Sequence, residues 1–461
     1  MTTRTVIEGC AIATVDATGT EYRDGHIVIE GEWIVAVGEG PAPDGAGGMG
    51  GSETRRIDGQ GQLATPGLVN CHHHLYQWAT RGVAQQATLF EWLVALYPVW
   101  ALIDADTCRA AARAGLAALA RSGCSASTDH HYVFPRDAGD LLEVEIGAAA
   151  SIGLRFHPCR GSMDLGQSDG GLPPDEVVED RDAILVASEA AISCFHDPSP
   201  GAMVRIALAP CSPFSVTPGL MTDAAELARR RGVRLHTHLA ETLDEERFCQ
   251  ERFGVRPVDY LDDLCWLGDD VWLAHCVHLD DAEIARFGAT GTGVAHCPNS
   301  NARLGAGIAP VAGLVGAGVA VGLGVDGAAS NEDGGLASEM RAALQFARLA
   351  AGPRALTARQ ALARATIDGA RCLGRETELG SLEVGKLADV ALWRLDGLEG
   401  AGIDDPVAAL VFGSTQTVEL LLVGGHPIVE GAELRTADEA QVAAEIARAS
   451  RQLAARAEAR V

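Results

Sequence analysis

The segment Pro66-Gly67-Leu68-Val69-Asn70-Cys71-His72-His73-His74 joins a short apolar run to three consecutive histidines. A run of apolar residues without polar alternation is typical of a strand buried on both faces, as in a parallel sheet. Successive side chains of a strand point to opposite faces, so we expect His72 and His74 to share one face and His73 to point away. The segment therefore predicts a buried strand whose end carries paired imidazoles.

Seven further apolar runs follow along the chain, and longer segments with helical periodicity separate them. Together with the first run, they span residues 67–74, 122–130, 153–160, 204–211, 233–240, 271–278, 293–298 and 319–326. The helical patterns include residues 106–121, 176–195, 218–231, 280–289 and 336–350. Eight strand–helix repeats with buried strands predict an α/β protein with a closed parallel (β/α)8 barrel, the TIM barrel.

Both ends of the chain carry shorter runs that are typical of strands in a smaller unit. Residues 4–37 alternate apolar and polar positions around glycine and aspartate turns, and segments 385–393 and 418–425 carry strand-like runs near the other end. We expect the two ends to pair into a small β-sandwich. The expected organisation is a first sandwich part in 1–64, the barrel in 65–375, and a second sandwich part with a C-terminal helix in 376–461.

The composition of the 461 residues excludes several classes of function. A formal net charge of −26 argues against nucleic-acid binding, which needs clustered cations. The chain has no apolar run of about 18 residues for a membrane span, and no apolar segment near Met1 for a signal peptide. The twelve cysteines are scattered singly, which is typical of free thiols in a reducing compartment. We therefore expect a cytoplasmic protein without nucleic-acid or membrane partners.

Residues that can bind metals stand near the C-terminal end of five of the eight runs, where a barrel places its active site. They are His72 and His74, His236 with His238 and Glu241, His275 with His278, His296, and Asp326. Imidazoles from two strands with a carboxylate from a third suit a borderline cation such as zinc. One such pair is common by chance, whereas five strand ends in barrel order predict a metal centre.

The segments that carry these residues resemble the amidohydrolase superfamily. Residues 66–74 are similar to its strand-one signature, and 238–241, 275–278 and 325–327 are similar to signatures of its cytosine-, guanine- and adenosine-type deaminase branch. The resemblance extends over the whole chain, including the split sandwich. It implies a hydrolytic deaminase whose metal ligands are His72, His74, His238 and Asp326. It also implies that the catalytic acid–base groups are Glu241, His275 and Asp326.

Two features of this implied site depend on further arguments. His236 and His238 both face inward, and the HxxE spacing together with a place nearer the strand end favours His238 as the ligand, with His236 as a deeper structural residue. Superfamily members with two metals usually bridge them through a carbamylated lysine on a barrel strand. The only lysine, Lys386, lies in the predicted sandwich, so we expect one divalent ion per subunit, zinc or alternatively iron.

Further segments resemble the 8-oxoguanine deaminases of that superfamily, namely residues 96–100, 129–132, 160–163, 170–174, 209–215 and 235–246. This resemblance implies hydrolysis of 8-oxoguanine to urate and ammonia by metal-activated water, whose pKa falls from near 16 to about 7. The chain is also similar to s-triazine hydrolases, as at residues 331–335, so a triazine, a pterin or a related N-heterocycle is the alternative substrate. A non-catalytic structural barrel is a remote alternative, which the intact set of site residues opposes.

A flat purine lactam needs an apolar slot and hydrogen-bonding groups at fixed angles. Gln77 both donates and accepts, and it matches the position at which guanine deaminases hold the purine edge. We expect Arg160 to donate to a carbonyl oxygen, and the aromatic residues to wall the ring, although helix packing explains the tryptophans equally well. The expected substrate contacts are Gln77, Arg160, Trp92, Trp100 and Cys211, with Tyr97 as a further wall. The superfamily resemblance also implies a homo-oligomer.

Overall fold

The computed structural model describes residues 4–43, 54–413 and 417–460. The chain opens with five strands that belong to a sheet outside the barrel. They are β1 (Arg4–Ala13), β2 (Glu21–Glu30), β3 (Trp33–Glu39), β4 (Thr54–Asp58) and β5 (Gln62–Pro66). Strands β1 to β3 pair antiparallel in sequence order, and β4 and β5 both run parallel to β1.

Eight parallel strands then close into a barrel, which confirms the predicted (β/α)8 fold. The strands of this segment are β6 (Leu68–Asn70), β7 (His73–His74), β8 (Cys124–His131), β9 (Arg155–Ser162), β10 (Ala207–Pro210), β11 (Arg234–Leu239), β12 (Val271–His275), β13 (Gly293–His296), β14 (Val321–Leu323) and β15 (Asp326–Gly327). The closed order is β10-β11-β12-β13-β14-β6-β8-β9. Every residue of β8 and β9 is buried, including polar ones such as Asp129 and Arg160, so both strands are covered on both faces.

Strands β6 and β14 are neighbours, and both are interrupted before they resume as the short pair β7 and β15. The sequence predicts one continuous strand at each of these two places, and the structure has two short strands at each. The strands approach closely here, because a Cβ added at Gly324 would lie 2.6 Å from the Cβ of His72. The backbone N–H of Asp326 donates to the carbonyl of His72 over 3.1 Å. The interruption thus brings Asp326 next to the histidines of the first barrel strand.

Helices cover the outside of the barrel, and most begin at a residue whose side chain accepts a backbone N–H of the first turn, such as Asp104, Asp140 and Thr217. A 3-10 helix, Leu75–Thr80, follows β7 directly. The α-helices are α1 (Leu89–Trp100), α2 (Ala105–Arg121), α3 (Leu141–Ile152), α4 (Arg181–Phe195), α5 (Pro218–Arg231), α6 (Leu243–Phe253), α7 (Pro257–Asp263), α8 (Asp281–Thr290), α9 (Pro298–Arg303), α10 (Val311–Gly316), α11 (Leu336–Ala351), α12 (Ala358–Arg364), α13 (Ile367–Cys372), α14 (Pro406–Phe412) and α15 (Glu439–Glu458).

The two ends of the chain pair with each other, as the alternating runs predict. The C-terminal strands are β16 (Val390–Arg394), β17 (Leu420–Val423), β18 (His426–Glu430) and β19 (Glu433–Leu434). Strand β16 pairs antiparallel with β5, and this joins both ends into one nine-stranded mixed sheet in the order β19-β18-β17-β16-β5-β1-β2-β3, with β4 on β1. The sheet has its own apolar core, in which Ile12 and Ile27 pack with Val390 and Leu422.

A buried ion pair connects the barrel to this terminal sheet. Arg155, at the start of β9, is 1% exposed, and its Nε and Nη2 donate to the two carboxylate oxygens of Asp389 over 3.0 Å each. Asp389 also accepts the backbone N–H of Gly424 over 2.8 Å. Removal of one partner from such a pair leaves the other charge buried without compensation.

We expect Asp389→Ala to lower the free energy of unfolding by about 3–5 kcal/mol, because the guanidinium of Arg155 stays buried without its counter-charge. Urea denaturation of the purified protein measures this change. Asp404→Ala is the control, since Asp404 pairs with Arg23 where both side chains are almost fully exposed, and its removal should change nothing measurable. Equal effects of the two substitutions would contradict the prediction.

Candidate metal centre and active site

Three imidazoles and one carboxylate converge at the C-terminal end of the barrel. The Nε2 atom of His74 lies 3.1 Å from Nε2 of His238 and 3.3 Å from Oδ1 of Asp326. The Nε2 atom of His72 lies 3.4 Å from the same Oδ1. All four residues are buried. Such distances between ligand atoms are those of groups that face one small cation.

Hydrogen bonds at Nδ1 fix the tautomers of these histidines. Nδ1 of His74 donates to the carbonyl of His130, and Nδ1 of His238 donates to the carbonyl of Cys211, each over 2.7 Å. A carbonyl only accepts, so the proton sits on Nδ1 and the lone pair of Nε2 faces the centre. Burial lowers the pKa of His74 to about 4, which keeps its ring neutral. Both rings therefore present the neutral nitrogen that a metal requires.

His236 also belongs to β11, and the sequence leaves it as the second choice of metal ligand. In the structure it makes different contacts from those of His238. Its Nδ1 donates to the carbonyl of Trp272 over 2.8 Å, and its Nε2 accepts from Nδ1 of His72 over 2.8 Å. Both nitrogens of His236 are thus engaged, whereas Nε2 of His72 is buried and has no hydrogen-bond partner among the residues that the structure describes. An unpartnered buried imidazole nitrogen beside a carboxylate fits a bound divalent cation.

The backbone around the centre contains several residues in the left-handed region. Ala240, His275, Cys276 and Asp326 have φ angles of 51°, 70°, 49° and 60°. Non-glycine residues rarely adopt this conformation, and where they do so the strain is often associated with a functional site. Each of these residues stands where a barrel strand ends, so the unusual backbone directs the ends of three strands toward one cavity.

Two titratable groups stand beside the candidate ligands. Nε2 of His275 lies 3.6 Å from Oε2 of Glu241 and 3.9 Å from Oδ2 of Asp326. Burial raises the pKa of Glu241 to about 7. Burial lowers the pKa of His275, but the carboxylates of Glu241 and Asp326 outweigh that effect and raise it above its ordinary value. The three groups form a line along which a proton can move between water and a substrate at neutral pH.

Helix α9 orients two members of this line. The hydroxyl of Ser300 donates to Oδ2 of Asp326 over 2.5 Å, and Oδ1 of Asn301 accepts the Nδ1 proton of His275 over 2.9 Å. Sequence reasoning missed both residues. The sequence feature that could have pointed to them is the polar segment 298–301. It follows the seventh strand directly, where a barrel loop reaches the active site.

Glu245 orients the third member and was also missed. Its carboxylate accepts the backbone N–H groups of Ala240 and Glu241 over 2.8 and 2.9 Å. These bonds hold the loop that carries Glu241 against the start of α6. A carboxylate in the first turn of a helix is common near a helix cap, so nothing in the sequence pattern distinguishes Glu245 from such a residue.

A cavity of about 380 Å³, including its opening to solvent, lies over the centre. Among the expected substrate contacts, Gln77, Trp92, Tyr97 and Cys211 line it. The remaining lining residues are His74, Leu89, Leu93, Tyr132, Phe214, His238, Glu241, His275, Leu304, Asp326 and Ser330. Apolar and aromatic side chains line the cavity together with the titratable groups of the centre, a combination that is typical of a site for a small ligand.

Two of the expected substrate contacts do not line this cavity. The guanidinium of Arg160 pairs with Glu179 over 2.7 Å and lies over the ring of Phe134, so both of its Nη groups are engaged within the protein. Trp100 is fully buried behind Trp92 and donates through Nε1 to a threonine hydroxyl. An ion pair and helix packing thus engage these two side chains in the structure, and their contact with substrate stays a prediction. Among the described residues, the helices include none that combines the length and the apolarity needed to cross a membrane.

The comparison with known proteins agrees with this geometry. The model of the amidohydrolase family matches residues 63–428. The chain is 45% identical over 424 residues to the 8-oxoguanine deaminase of Pseudomonas aeruginosa, covering 91% of this chain and 93% of that protein. It is 38% identical over 422 residues to an isoxanthopterin deaminase of an unknown prokaryotic organism, covering 86% and 87%.

Solved structures extend the similarity to three dimensions. The atrazine chlorohydrolase of Arthrobacter aurescens TC1, complexed with zinc, matches with a TM-score of 0.91 and 36% identity over 97% of this chain and all of that one. The relatives are enzymes, which leaves no support for a non-catalytic barrel. The cluster of buried histidines and Asp326 supports a divalent metal in this chain as well. The chain belongs to the amidohydrolase family, as a metal-dependent hydrolytic deaminase.

Proposed function

We propose that the protein converts 8-oxoguanine and water to urate and ammonia, with one zinc ion per subunit held by His72, His74, His238 and Asp326. The observation that carries the proposal is the convergence of these four side chains below a cavity that Gln77 also lines. The 45% identity to an 8-oxoguanine deaminase over most of both chains supports this choice of substrate.

The proposal of one ion per subunit follows from the ligands that the barrel offers. Lys386, the only lysine, donates through Nζ to the carbonyl of Glu376 and to the hydroxyl of Ser381, which places it in the segment that leads to β16. It cannot bridge two metals in the barrel. A set of three imidazoles and one carboxylate accepts zinc or iron, and elemental analysis of the purified protein distinguishes them.

The residues around the centre can perform each proton transfer of the reaction. A divalent cation bound here would lower the pKa of a coordinated water to near 7. Asp326 and His275 then accept the proton that water loses as its oxygen bonds to the amino-bearing ring carbon. Glu241, with its pKa raised to about 7 by burial, protonates the adjacent ring nitrogen. As the carbon–nitrogen bond breaks, the amino group takes the proton held by Asp326 and His275 and leaves as ammonia. The hydroxyl on the ring carbon returns its proton to Glu241 and becomes the carbonyl of the product.

The walls of the cavity fit a planar ring. Trp92, Tyr97 and Phe214 provide aromatic surface, and the amide of Gln77 provides a donor and an acceptor. Nε1 of Trp92 donates to the carbonyl of Ala329, which fixes its ring beside the segment that follows Asp326. This hydrogen bond holds one aromatic wall of the slot in place.

A pterin or triazine hydrolase is the second candidate, because aromatic walls accept any flat heterocycle and the isoxanthopterin deaminase is 38% identical. Residues 331–333 of the segment that resembles triazine hydrolases line a separate surface depression with Arg303 and Arg341. Ser330 is the residue that both cavities share. The resemblance of 331–335 therefore gives no direct information about the ring that binds over the metal centre.

We expect zinc-loaded enzyme to release urate and ammonia from 8-oxoguanine with a kcat/KM of at least about 10⁴ M⁻¹s⁻¹, the lower end of the usual range for natural substrates. Absorbance of urate and an ammonia assay measure the two products. Isoxanthopterin and an amino-substituted triazine are assayed in parallel. Turnover of one of these rings without any urate from 8-oxoguanine would contradict the proposed substrate.

A further inference from the structure

The amide group of Gln77 is buried, and it has no hydrogen-bond partner in the part of the chain that the structure describes. The residue lies in the 3-10 helix Leu75–Thr80, has no exposed surface, and lines the cavity over the metal centre. Neither Oε1 nor Nε2 has a partner among the residues that the structure describes. A buried amide in this state is destabilising unless a bound molecule satisfies it.

Gly327 packs directly against this amide. A Cβ added at Gly327 would lie 1.8 Å from Oε1, 2.3 Å from Cδ and 2.9 Å from Nε2 of Gln77, and these are its three nearest heavy atoms. The backbone of Gly327 is fixed, because its N–H donates to Oδ1 of Asp326 and its carbonyl accepts the N–H groups of Ser330 and Asn331. Its φ lies outside the left-handed region, so alanine is compatible with the backbone.

We propose that Gly327 is a specificity-determining positioning residue, whose missing side chain allows the Gln77 amide to lie in the cavity. Any larger residue at 327 forces the amide to rotate away, since the neighbouring backbone cannot move without disturbing Asp326. The sequence therefore couples the substrate-binding amide to the residue that directly follows a candidate metal ligand.

The place that Gly327 leaves for the Gln77 amide selects a class of substrate. This inference rests on the proposed function. An amide with its donor and acceptor side by side pairs with a ring edge that carries an adjacent carbonyl and N–H. Oxopurines and pterins have such a lactam edge, whereas a triazine with only chloro and alkylamino substituents lacks the carbonyl. A site built to hydrogen-bond a polar group strongly disfavours an analogue without it, because the buried amide is then left unpaired.

A double-mutant cycle tests whether Gly327 acts through Gln77. The four zinc-loaded proteins are the wild type, Gly327→Ala, Gln77→Ala and the double variant. We expect each single substitution to raise KM for a lactam substrate on the order of 10-fold, the usual effect of one or two lost buried hydrogen bonds. The double variant should have the KM of Gln77→Ala, and kcat should change less than KM in all three.

The melting temperature (Tm) is a second measurement of the coupling between Gly327 and Gln77, and it needs no substrate. Gly327→Ala should lower the Tm, and Gln77→Ala should remove this loss, because the added methyl then fits where the amide was. Gly147→Ala is the matched control, since Gly147 is exposed in α3 and an added Cβ meets no atom within 4 Å. It should change neither KM nor the effect of Gln77→Ala.

Two outcomes would overturn the inference. Independent effects of the two substitutions on KM and on Tm would show that Gly327 does not act through Gln77. A wild type that prefers a triazine without a carbonyl over every lactam would overturn the substrate class. If 8-oxoguanine itself is not turned over, the cycle is measured with isoxanthopterin or another lactam that is, so failure of the proposed function is distinguishable from failure of this inference.

Discussion

His238→Ala should remove the divalent ion and reduce turnover by at least roughly 10⁴-fold, because water without the cation keeps a pKa near 16. Nε2 of His238 lies 3.1 Å from Nε2 of His74, at the centre of the candidate ligand set, and its lone pair faces that centre. Loss of this nitrogen leaves two imidazoles and one carboxylate. Elemental analysis after dialysis measures the ion, and the ammonia assay measures turnover.

His236→Ala is the informative partner of this experiment, because both histidines belong to β11 and sequence reasoning separated them only by spacing. His236 supports His72 through a hydrogen bond of 2.8 Å and engages its other nitrogen with Trp272. Loss of such a supporting bond typically weakens metal affinity about 10–100-fold. We expect this variant to recover activity with added zinc. If added zinc restored activity to His238→Ala instead, His236 would be the metal ligand and His238 the supporting residue.

The barrel was predictable because eight short strand-like runs without regular apolar–polar alternation recur between helical segments. This pattern indicates a buried strand wherever the strand lies in the closed sheet. The paired break in β6 and β14 was not predictable. It depends on the distance between Gly324 and His72, which are 252 residues apart in the chain and meet only after the barrel closes. The boundaries proposed at 64/65 and 375/376 remain predictions.

The candidate ligands were predictable for a similar reason, since a strand's period and its carboxyl end place His72, His74 and Asp326 without any knowledge of packing. Residues that orient them were missed. Ser300 and Asn301 act through hydrogen bonds to residues of other strands, so the polar segment 298–301 indicates a place near the site but not which residue each side chain orients. Arg160 was expected at the substrate because a cation at a strand end suits an oxopurine; the structure adds its ion pair with Glu179, which no sequence pattern indicated, and its substrate contact stays a prediction.

Glu241→Gln should retain the ion and lower kcat by about 10²- to 10⁴-fold, the usual contribution of a general acid. The glutamine has nearly the same shape but cannot deliver a proton to the ring nitrogen. Burial raises the pKa of Glu241 to about 7, so a large fraction of the wild-type side chain is protonated at neutral pH. KM should change little, since the amide still fills the same space. Metal content and steady-state kinetics are measured on the same preparation.

Glu246→Gln is the control for this substitution. Glu246 also lies at the start of α6, but it pairs with Arg256 over 2.6 Å and does not line the cavity, so turnover should be unchanged. If Glu241→Gln also turns over at the wild-type rate, the proton must come from another group. His275 is then the nearest candidate, because its Nε2 lies between the two carboxylates and its own pKa is raised by them. A role for Glu241 as the acid therefore requires the two variants to differ.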